Sequence, residues 1–183
     1  MKRSLSPLFL AIGILGFGIS IYHLAPFQND TLVATSSAST RLTPCFTPQN
    51  NCKSFVIHTI DSAQDSILVQ SYSFTSPEIA HALILAKKRG VDVRLIIDRS
   101  QVKAKYSQLK NIKEGGIPFV IDTVSGISHN KIMICDGKKV LTGSFNWTEG
   151  AQYRNAENVL LVEDQFIAES YTQNWIKRWN ESQ

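Results

Sequence analysis

Four polar residues between positions 129 and 146 have the side-chain types that phosphodiester chemistry requires. His129 and Lys131 lie two residues apart at the start of an apolar run, so on a strand their side chains face the same side. Ser144 and Asn146 have the same spacing after the following run. Cleavage of a phosphodiester needs a nucleophile that reaches phosphorus and fixed donors that stabilise the charge on the oxygens. The segment therefore predicts a site where an imidazole, an ammonium, a hydroxyl and an amide converge.

A β-hairpin is expected to position these groups. The apolar runs 131–135 and 140–142 are joined by Asp136 and Gly137, a dipeptide typical of tight hairpin turns. Elsewhere the apolar periodicity alternates between helical and extended. It predicts helices over 54–64, 76–89 and 166–179, strands over 66–74, 91–98, 117–121 and 157–162, and a basic helical stretch that ends at Glu114. The order predicts an α/β sandwich around a mixed sheet.

The spacing of the polar residues matches a known family signature, H-x-K-x4-D-x6-G-S-x-N. The six signature positions are filled by His129, Lys131, Asp136, Gly143, Ser144 and Asn146. The pattern resembles the phospholipase D superfamily, and segments 45–48, 71–74 and 155–158 are similar to its small bacterial Nuc-type endonuclease branch. The resemblance covers residues 43–179. It implies a single catalytic domain with a phospholipase D/nuclease-like sandwich, a mixed β-sheet flanked by helices.

The resemblance also implies roles for the site residues. His129 would attack phosphorus and form a covalent phosphohistidine, which water then hydrolyses. Lys131, Ser144 and Asn146 would hold the phosphate oxygens. Glu157 would hydrogen-bond the second ring nitrogen of His129 and so fix its tautomer.

The two remaining signature residues, Asp136 and Gly143, are expected to have structural roles, and no cofactor is expected. Asp136 lies at the hairpin turn, where we expect it to hold the loop rather than to contact substrate. Gly143 belongs to the motif as a structural position. The pattern requires no metal ion or other cofactor, because it offers no second acidic cluster for a two-metal site.

The chain carries only one His-x-Lys pair, which predicts a homodimer. A general acid must protonate the leaving oxygen while the nucleophile attacks, and a second imidazole normally supplies that proton. His58 and His81 fall on predicted helices, and His23 lies in the N-terminal segment. The length of 183 residues excludes duplicated catalytic halves as well as a multidomain enzyme or a polytopic membrane protein. We therefore expect two copies of His129 to face one phosphate across a two-fold axis.

Three functions for this site remain open on the sequence. Nucleic acid, possibly single-stranded DNA, is favoured by the branch resemblance and by spaced cations around an aromatic side chain. These residues are Lys103, Lys105, Tyr106, Lys110 and Lys113, which alternatively form a solvated helix face. The net charge of +4 permits a polyanionic partner without requiring one. Phospholipid is the second candidate substrate, and an inactive phosphate-binding module is the third possibility.

Two cysteines flank a turn-rich loop. Cys45 and Cys52 could close a small disulfide ring, and a metal site is the competing interpretation, although the neighbouring sequence offers no further Cys or His ligands. Cys135 lies inside an apolar run and is expected to be a buried small hydrophobe rather than a nucleophile.

The N-terminus has the pattern of an export segment. Lys2 and Arg3 precede an apolar run over 7–22, and the next charged residue is Asp30. The sequence therefore predicts a signal peptide or membrane anchor over 1–25, a Ser/Thr-rich tether over 26–43 and the catalytic domain over 44–183. The protein would be exported to the periplasm or extracellular face, and residues 5–25 would attach it to the inner membrane if they are not cleaved.

Overall fold

The computed structural model describes residues 39–183. The predicted export segment and most of the predicted tether lie outside these residues. The first strand begins at Arg41, so the sheet starts inside the last residues assigned to the tether. Across 39–183, every helix is too short or too polar to cross a bilayer.

Within the described residues, seven strands form one mixed sheet that helices cover on both faces. The strands are β1 (Arg41–Thr47), β2 (Ser66–Ser71), β3 (Asp92–Ile97), β4 (Phe119–Ile121), β5 (Lys131–Cys135), β6 (Lys139–Gly143) and β7 (Glu157–Glu163). The helices are α1 (Cys52–Ser62), α2 (Pro77–Lys88), α3 (Leu109–Glu114), α4 (Glu149–Tyr153) and α5 (Gln165–Glu181). The strand order is β1-β7-β6-β5-β2-β3-β4, with β2, β3 and β4 parallel and the other pairs antiparallel. The predicted α/β sandwich with a mixed sheet is confirmed.

Two apolar layers hold the helices on the sheet. On one face, buried residues of α1 and α2 such as Ile60 and Leu83 pack with Val69 of β2. On the other face, Trp175 of α5 packs in a second cluster with Ile132 of β5. The indole of Trp175 also donates a 2.9 Å hydrogen bond to the carbonyl oxygen of Val69, which ties α5 to the centre of the sheet.

The basic stretch before Glu114 differs from its prediction. It forms a 3-10 turn over Arg99–Val102, then a loop, and becomes α-helical only in α3. Asp98 caps the turn by accepting a 2.8 Å hydrogen bond from the backbone N–H of Ser100. Gln101 accepts another, of 3.0 Å, from the N–H of Phe74. These side-chain contacts with the backbone hold the segment in a turn against the chain that follows β2, so it does not continue as one helix.

A disulfide joins the end of β1 to the start of α1. It links Cys45 and Cys52, so both thiols are in a covalent bond rather than available as metal ligands. Cys135 is a free cysteine buried in the core, where burial raises the pKa of its thiol to about 12.

The strand pairing brings several strand ends to one edge of the sheet. Lys131, the first residue of β5, lies opposite Ser71, the last residue of β2. Gly143 ends β6 beside Val159 of β7, and Glu157 begins β7 beside Thr47. The predicted polar residues therefore start from adjacent positions, although up to 28 residues of sequence separate them.

Candidate active site

An open cavity of about 590 Å³ lies where these strand ends meet. Apart from one glycine, every residue that lines it has a polar or charged side chain. It is lined by His129, Lys131, Gly143, Ser144, Asn146, Glu157 and Asn158. The structure thus brings together every residue that the sequence assigned to catalysis or phosphate binding, and adds Asn158.

His129 lies in the loop just before β5 and is exposed to the cavity. Its ring packs against Tyr72, with 4.5 Å between the ring centroids. The backbone N–H of Tyr72 donates a 3.0 Å hydrogen bond to the carbonyl oxygen of Asn130. The imidazole is therefore supported from one side and open to an incoming phosphate from the other.

Lys131 is almost fully buried, at 7% exposure. Its Nζ donates a 2.6 Å hydrogen bond to the carbonyl oxygen of His129 and lies 4.9 Å from the centre of the Tyr72 ring. Burial lowers the pKa of Lys131, and the negative charge of Glu157 opposes part of that effect. An ammonium with so little water around it attracts a phosphate oxygen more strongly than one in bulk solvent.

Glu157 contacts Ser144 rather than His129. The Ser144 hydroxyl donates to Oε2 of Glu157, and Asn155 Nδ2 donates to Oε1 at 2.8 Å. Ser144 Oγ in turn accepts from the backbone N–H of Asn158 at 3.1 Å. The hydrogen bonds of the described residues include none between Glu157 and His129, so the expected contact is not formed within this single chain.

Gly143 allows the close backbone contact that positions Ser144. A Cβ at residue 143 would lie 2.4 Å from the carbonyl oxygen of Asn158, and the residue has φ +154°. That oxygen accepts hydrogen bonds of 3.1 Å from the backbone N–H groups of both Ser144 and Phe145. A side chain at 143 would push the two segments apart, so the glycine fixes where the Ser144 hydroxyl lies.

Asn146 contributes an amide to the cavity wall. Its Oδ1 is buried and has no hydrogen-bond partner among the described residues. The following residue, Trp147, is fully buried and holds this part of the loop in the core. An unpaired amide oxygen is an acceptor that a bound water can satisfy, whereas a phosphate oxygen would accept from Nδ2 of the same amide.

Asp136 lies at the opposite end of β5, in the turn to β6. It has φ 55° and Gly137 has φ 60°, as a type I′ hairpin turn requires. Its carboxylate accepts hydrogen bonds of 2.8 to 3.2 Å from the backbone N–H groups of Gln64, Asp65 and Ser66. Burial raises the pKa of Asp136, but these three hydrogen bonds outweigh burial and hold it below its usual value. The residue thus ties the hairpin to the start of β2.

The predicted cationic stretch is divided between a loop and a helix. Lys103 and Lys105 precede α3, whereas Lys110 and Lys113 lie on it. Tyr106 is 68% exposed, with Lys105 Nζ 5.2 Å from its ring centre. The loop leaves the end of β3 that pairs with Ser71, which is the edge of the sheet that carries the cavity.

Three further residues of this region contact the site, and their sequence pattern predicted no role for them. Tyr72 contacts His129 and Lys131, Asn158 donates to Ser144, and Asn155 donates to Glu157. All three lie in the segments 71–74 and 155–158, which are similar to the Nuc-type branch. That similarity was the one sequence feature that could have indicated a role for them. Their contacts arise between strands that are distant in sequence, so spacing could not predict them.

Comparison with known proteins places the chain in a family. Residues 56–179 match the family model described as "Cardiolipin synthase, PLD-like domain". A phospholipase D of Rickettsia conorii is 41% identical over 181 residues, covering 90% of each chain. A mitochondrial cardiolipin hydrolase of Xenopus laevis is 35% identical, over 78% of this chain and 72% of its own. The crystal structure of Nuc, a phospholipase D family member from Salmonella typhimurium, superposes with a TM-score of 0.75 at 37% identity, covering 79% of this chain and 97% of that one. The chain therefore belongs to the phospholipase D superfamily and is a phosphodiesterase of that superfamily.

Proposed function

We propose that this phosphodiesterase is a metal-independent endonuclease that hydrolyses DNA or RNA through a phosphohistidine, at a site shared between two copies of the chain. The observation that carries the proposal is the polar cavity around the exposed His129 and the buried Lys131. The side chains that line it offer a nucleophile and several donors to a phosphate. The exposed Tyr106 and its neighbouring lysines lie at the same edge of the sheet, where they would contact a nucleic acid strand.

The chemistry proceeds in two displacements. In the first, the imidazole of His129 attacks phosphorus, an N–P bond forms and the bond to the leaving oxygen breaks. Lys131, Ser144 and Asn146 hold the phosphate oxygens while negative charge builds on them. In the second, a water loses its proton and attacks phosphorus, which breaks the N–P bond and restores the free imidazole.

The second copy of the chain supplies the proton transfers. Among the described residues, His129 is the one histidine that lines the cavity, while His58 and His81 are exposed on α1 and α2. A second His129, contributed by a two-fold partner, would protonate the leaving oxygen and later accept the proton of the attacking water.

The substrate is tested by an assay of the full chain in EDTA. Labelled single-stranded DNA, duplex DNA and RNA are compared with phosphatidylcholine and cardiolipin vesicles, with His129→Ala as the control. We expect nucleic acid cleavage that EDTA leaves intact and that His129→Ala abolishes. Cleavage lost in EDTA would contradict the metal-independent mechanism, and persistent cleavage in His129→Ala would contradict the nucleophile.

The shared site is tested with mixed dimers. Wild-type and His129→Ala subunits carrying different tags are co-expressed, and the heterodimer is isolated through both tags. Because one imidazole attacks and the other donates the proton, we expect little or no activity in the heterodimer. Half of the wild-type activity would show that each chain works alone.

Hydrolysis of phospholipid headgroup phosphodiesters is the second candidate. The names of the two curated relatives favour it, since one is a phospholipase D and the other a cardiolipin hydrolase. Release of choline or of phosphatidate, without nucleic acid cleavage, would establish this function in the same assay. Binding of phosphate without turnover of any of these substrates would instead indicate a non-catalytic phosphate-binding module.

A further inference from the structure

Ser128, the residue before the nucleophile, is held by two buried carboxylates. Its backbone N–H donates a 2.7 Å hydrogen bond to Oδ2 of Asp98, and its hydroxyl donates a 2.8 Å hydrogen bond to Oδ2 of Asp122. Ser128 itself is only 4% exposed. A serine whose backbone and side chain are both bound in this way has little freedom, and neither does the peptide that leads to His129.

The two carboxylates come from neighbouring strand ends. Asp98 follows the last residue of β3, and Asp122 follows the last residue of β4. These strands are parallel and adjacent, so their carboxyl ends lie side by side. Asp98 is 1% exposed and Asp122 is 3% exposed. Burying two carboxylates costs several kcal/mol each unless other groups compensate them.

Other groups of the fold provide that compensation. Arg178 of α5 forms an ion pair with Asp122, with Nε 3.4 Å from Oδ2. Asp122 Oδ1 also accepts from the N–H of Val124 at 2.9 Å. Gln70 of β2 donates to the Ser128 hydroxyl at 3.1 Å, so the hydroxyl both donates and accepts. The result is a connected polar network around Ser128, in which Gln70 Oε1 is the one named atom that has no partner among the described residues.

The backbone of His129 is therefore fixed on both sides. On the N-terminal side Ser128 is bound to Asp98 and Asp122, and on the C-terminal side Asn130 is bound to the N–H of Tyr72. The main remaining freedom of His129 is therefore the rotation of its side chain. Tyr72 restricts that rotation, because it packs against one side of the ring.

We propose that Asp98 and Asp122 act through Ser128 as positioning residues that hold the His129 imidazole in line with phosphorus. The inference rests on the proposed role of His129 as the nucleophile. A displacement of about 1 Å in a nucleophile costs roughly 100-fold in rate, because the attacking atom and phosphorus no longer meet in line. Lysine and serine donors elsewhere in the cavity would still bind the phosphate, so substrate affinity should change little.

The test is Ser128→Ala in the full chain. This change removes the hydroxyl and its two hydrogen bonds but keeps the backbone N–H that binds Asp98. We expect kcat for the cleaved phosphodiester to fall about 10- to 100-fold, with KM changed less than about twofold. Ser128→Thr restores the hydroxyl and should recover most of kcat. The matched control is Ser62→Ala, which removes a hydroxyl that donates to Thr59 in α1 and should leave both constants unchanged.

A spectroscopic measurement makes the result independent of turnover. The ring signal of His129 in a histidine-labelled NMR spectrum is assigned by its loss in His129→Ala. We expect one sharp signal in the wild type and a broadened or displaced one in Ser128→Ala, while the signals of His58 and His81 stay in place. An unchanged ring signal, or an unchanged kcat in Ser128→Ala, would overturn the positioning role. Activity that survives in His129→Ala would instead refute the proposed function.

Discussion

The ammonium of Lys131 donates a 2.6 Å hydrogen bond to the carbonyl oxygen of His129. The cation of the signature is thus hydrogen-bonded to the backbone of His129, the residue that we propose as the nucleophile. Its distance from the imidazole is set by the protein rather than by the substrate. A phosphate that binds Lys131 therefore arrives beside the His129 ring already oriented, which saves part of the entropy cost of the reaction.

Lys131→Arg should change how the affinity for phosphate depends on pH. Burial lowers the pKa of Lys131, with the charge of Glu157 opposing part of the effect, so the wild-type ammonium loses its proton below the ordinary lysine value of 10.5. Only the protonated form attracts phosphate, and we expect the wild-type affinity for inorganic phosphate, measured by calorimetry, to fall on that alkaline side. Arginine keeps its charge there, so the affinity of Lys131→Arg should fall less steeply with pH. The same alkaline fall in both proteins would contradict this assignment.

Glu157→Gln should lower kcat by about tenfold. A hydrogen bond to a charged group contributes about 1.5–3 kcal/mol, and the lower value corresponds to this change in rate. The amide keeps the shape of the side chain but holds the Ser144 hydroxyl less firmly. Glu163→Gln is the matched control, since it makes the same change at the other end of β7. Equal kcat values for the two variants would show that the Ser144 contact has no catalytic consequence.

Gly143→Ala should impair both stability and activity. The added Cβ would lie 2.4 Å from the Asn158 carbonyl oxygen, and the residue has a positive φ, so the backbone must move and displace Ser144. Overpacking of this kind costs about 1–3 kcal/mol. Gly126→Ala is the control, because a Cβ at 126 has no neighbouring atom within 4 Å. Thermal unfolding and the rate of phosphodiester cleavage measure the two effects, and equal behaviour of the two variants would contradict the close-contact argument.

Asp136→Asn should destabilise the fold by about 1–3 kcal/mol at neutral pH, because three backbone N–H groups lose their anionic acceptor. Burial raises the pKa of Asp136, but the hydrogen bonds hold it below its ordinary 3.8. The carboxylate therefore stabilises the folded chain above the pKa of the unfolded state, and this contribution is lost as the pH falls through the folded pKa.

Denaturant unfolding at several pH values checks the Asp136 prediction. The stability gap between wild type and Asp136→Asn should be full near pH 7 and shrink below about pH 4. Asp65→Asn, a change at an exposed neighbouring carboxylate, should show neither effect. The folded Asp136→Asn protein should keep its catalytic rate, and a loss of kcat without a loss of stability would place Asp136 in the chemistry.

The sequence was sufficient for the hairpin and the residues on it. The turn at Asp136 and Gly137, the two apolar runs and the alternation of side chains are local features, so the positions of Lys131 and Ser144 follow from them. The helix α2 was equally local, since Ser76 caps it and a proline begins it. In the hairpin and in α2, the sequence pattern and the structure that it predicts depend on the same few neighbouring residues.

The remainder depended on contacts that are distant in sequence. β1 contains Pro44 and few apolar residues, and it is extended because it pairs with β7 more than 100 positions away. The Glu157 carboxylate contacts Ser144 instead of His129 because the strand ends set the distances. The short α4 is held by Thr148, which caps it, and by Glu149, which binds the buried ammonium of Lys53 in α1. Sequence periodicity carries no information about such pairings.

The position of Asp136 has a consequence for how the six-residue signature should be used to judge related chains. β5 separates Asp136 from Lys131 by about 16 Å at the usual rise of a strand. The motif therefore contains residues that line the cavity at one end of β5 and a residue that stabilises the fold at the other end. A chain that lacks only the aspartate can retain its phosphate chemistry if another group satisfies the turn. A chain that keeps the aspartate but lacks the lysine can retain the fold and have no reaction to catalyse. A count of intact motif positions therefore does not distinguish the loss of a cavity residue from the loss of a residue that stabilises the fold.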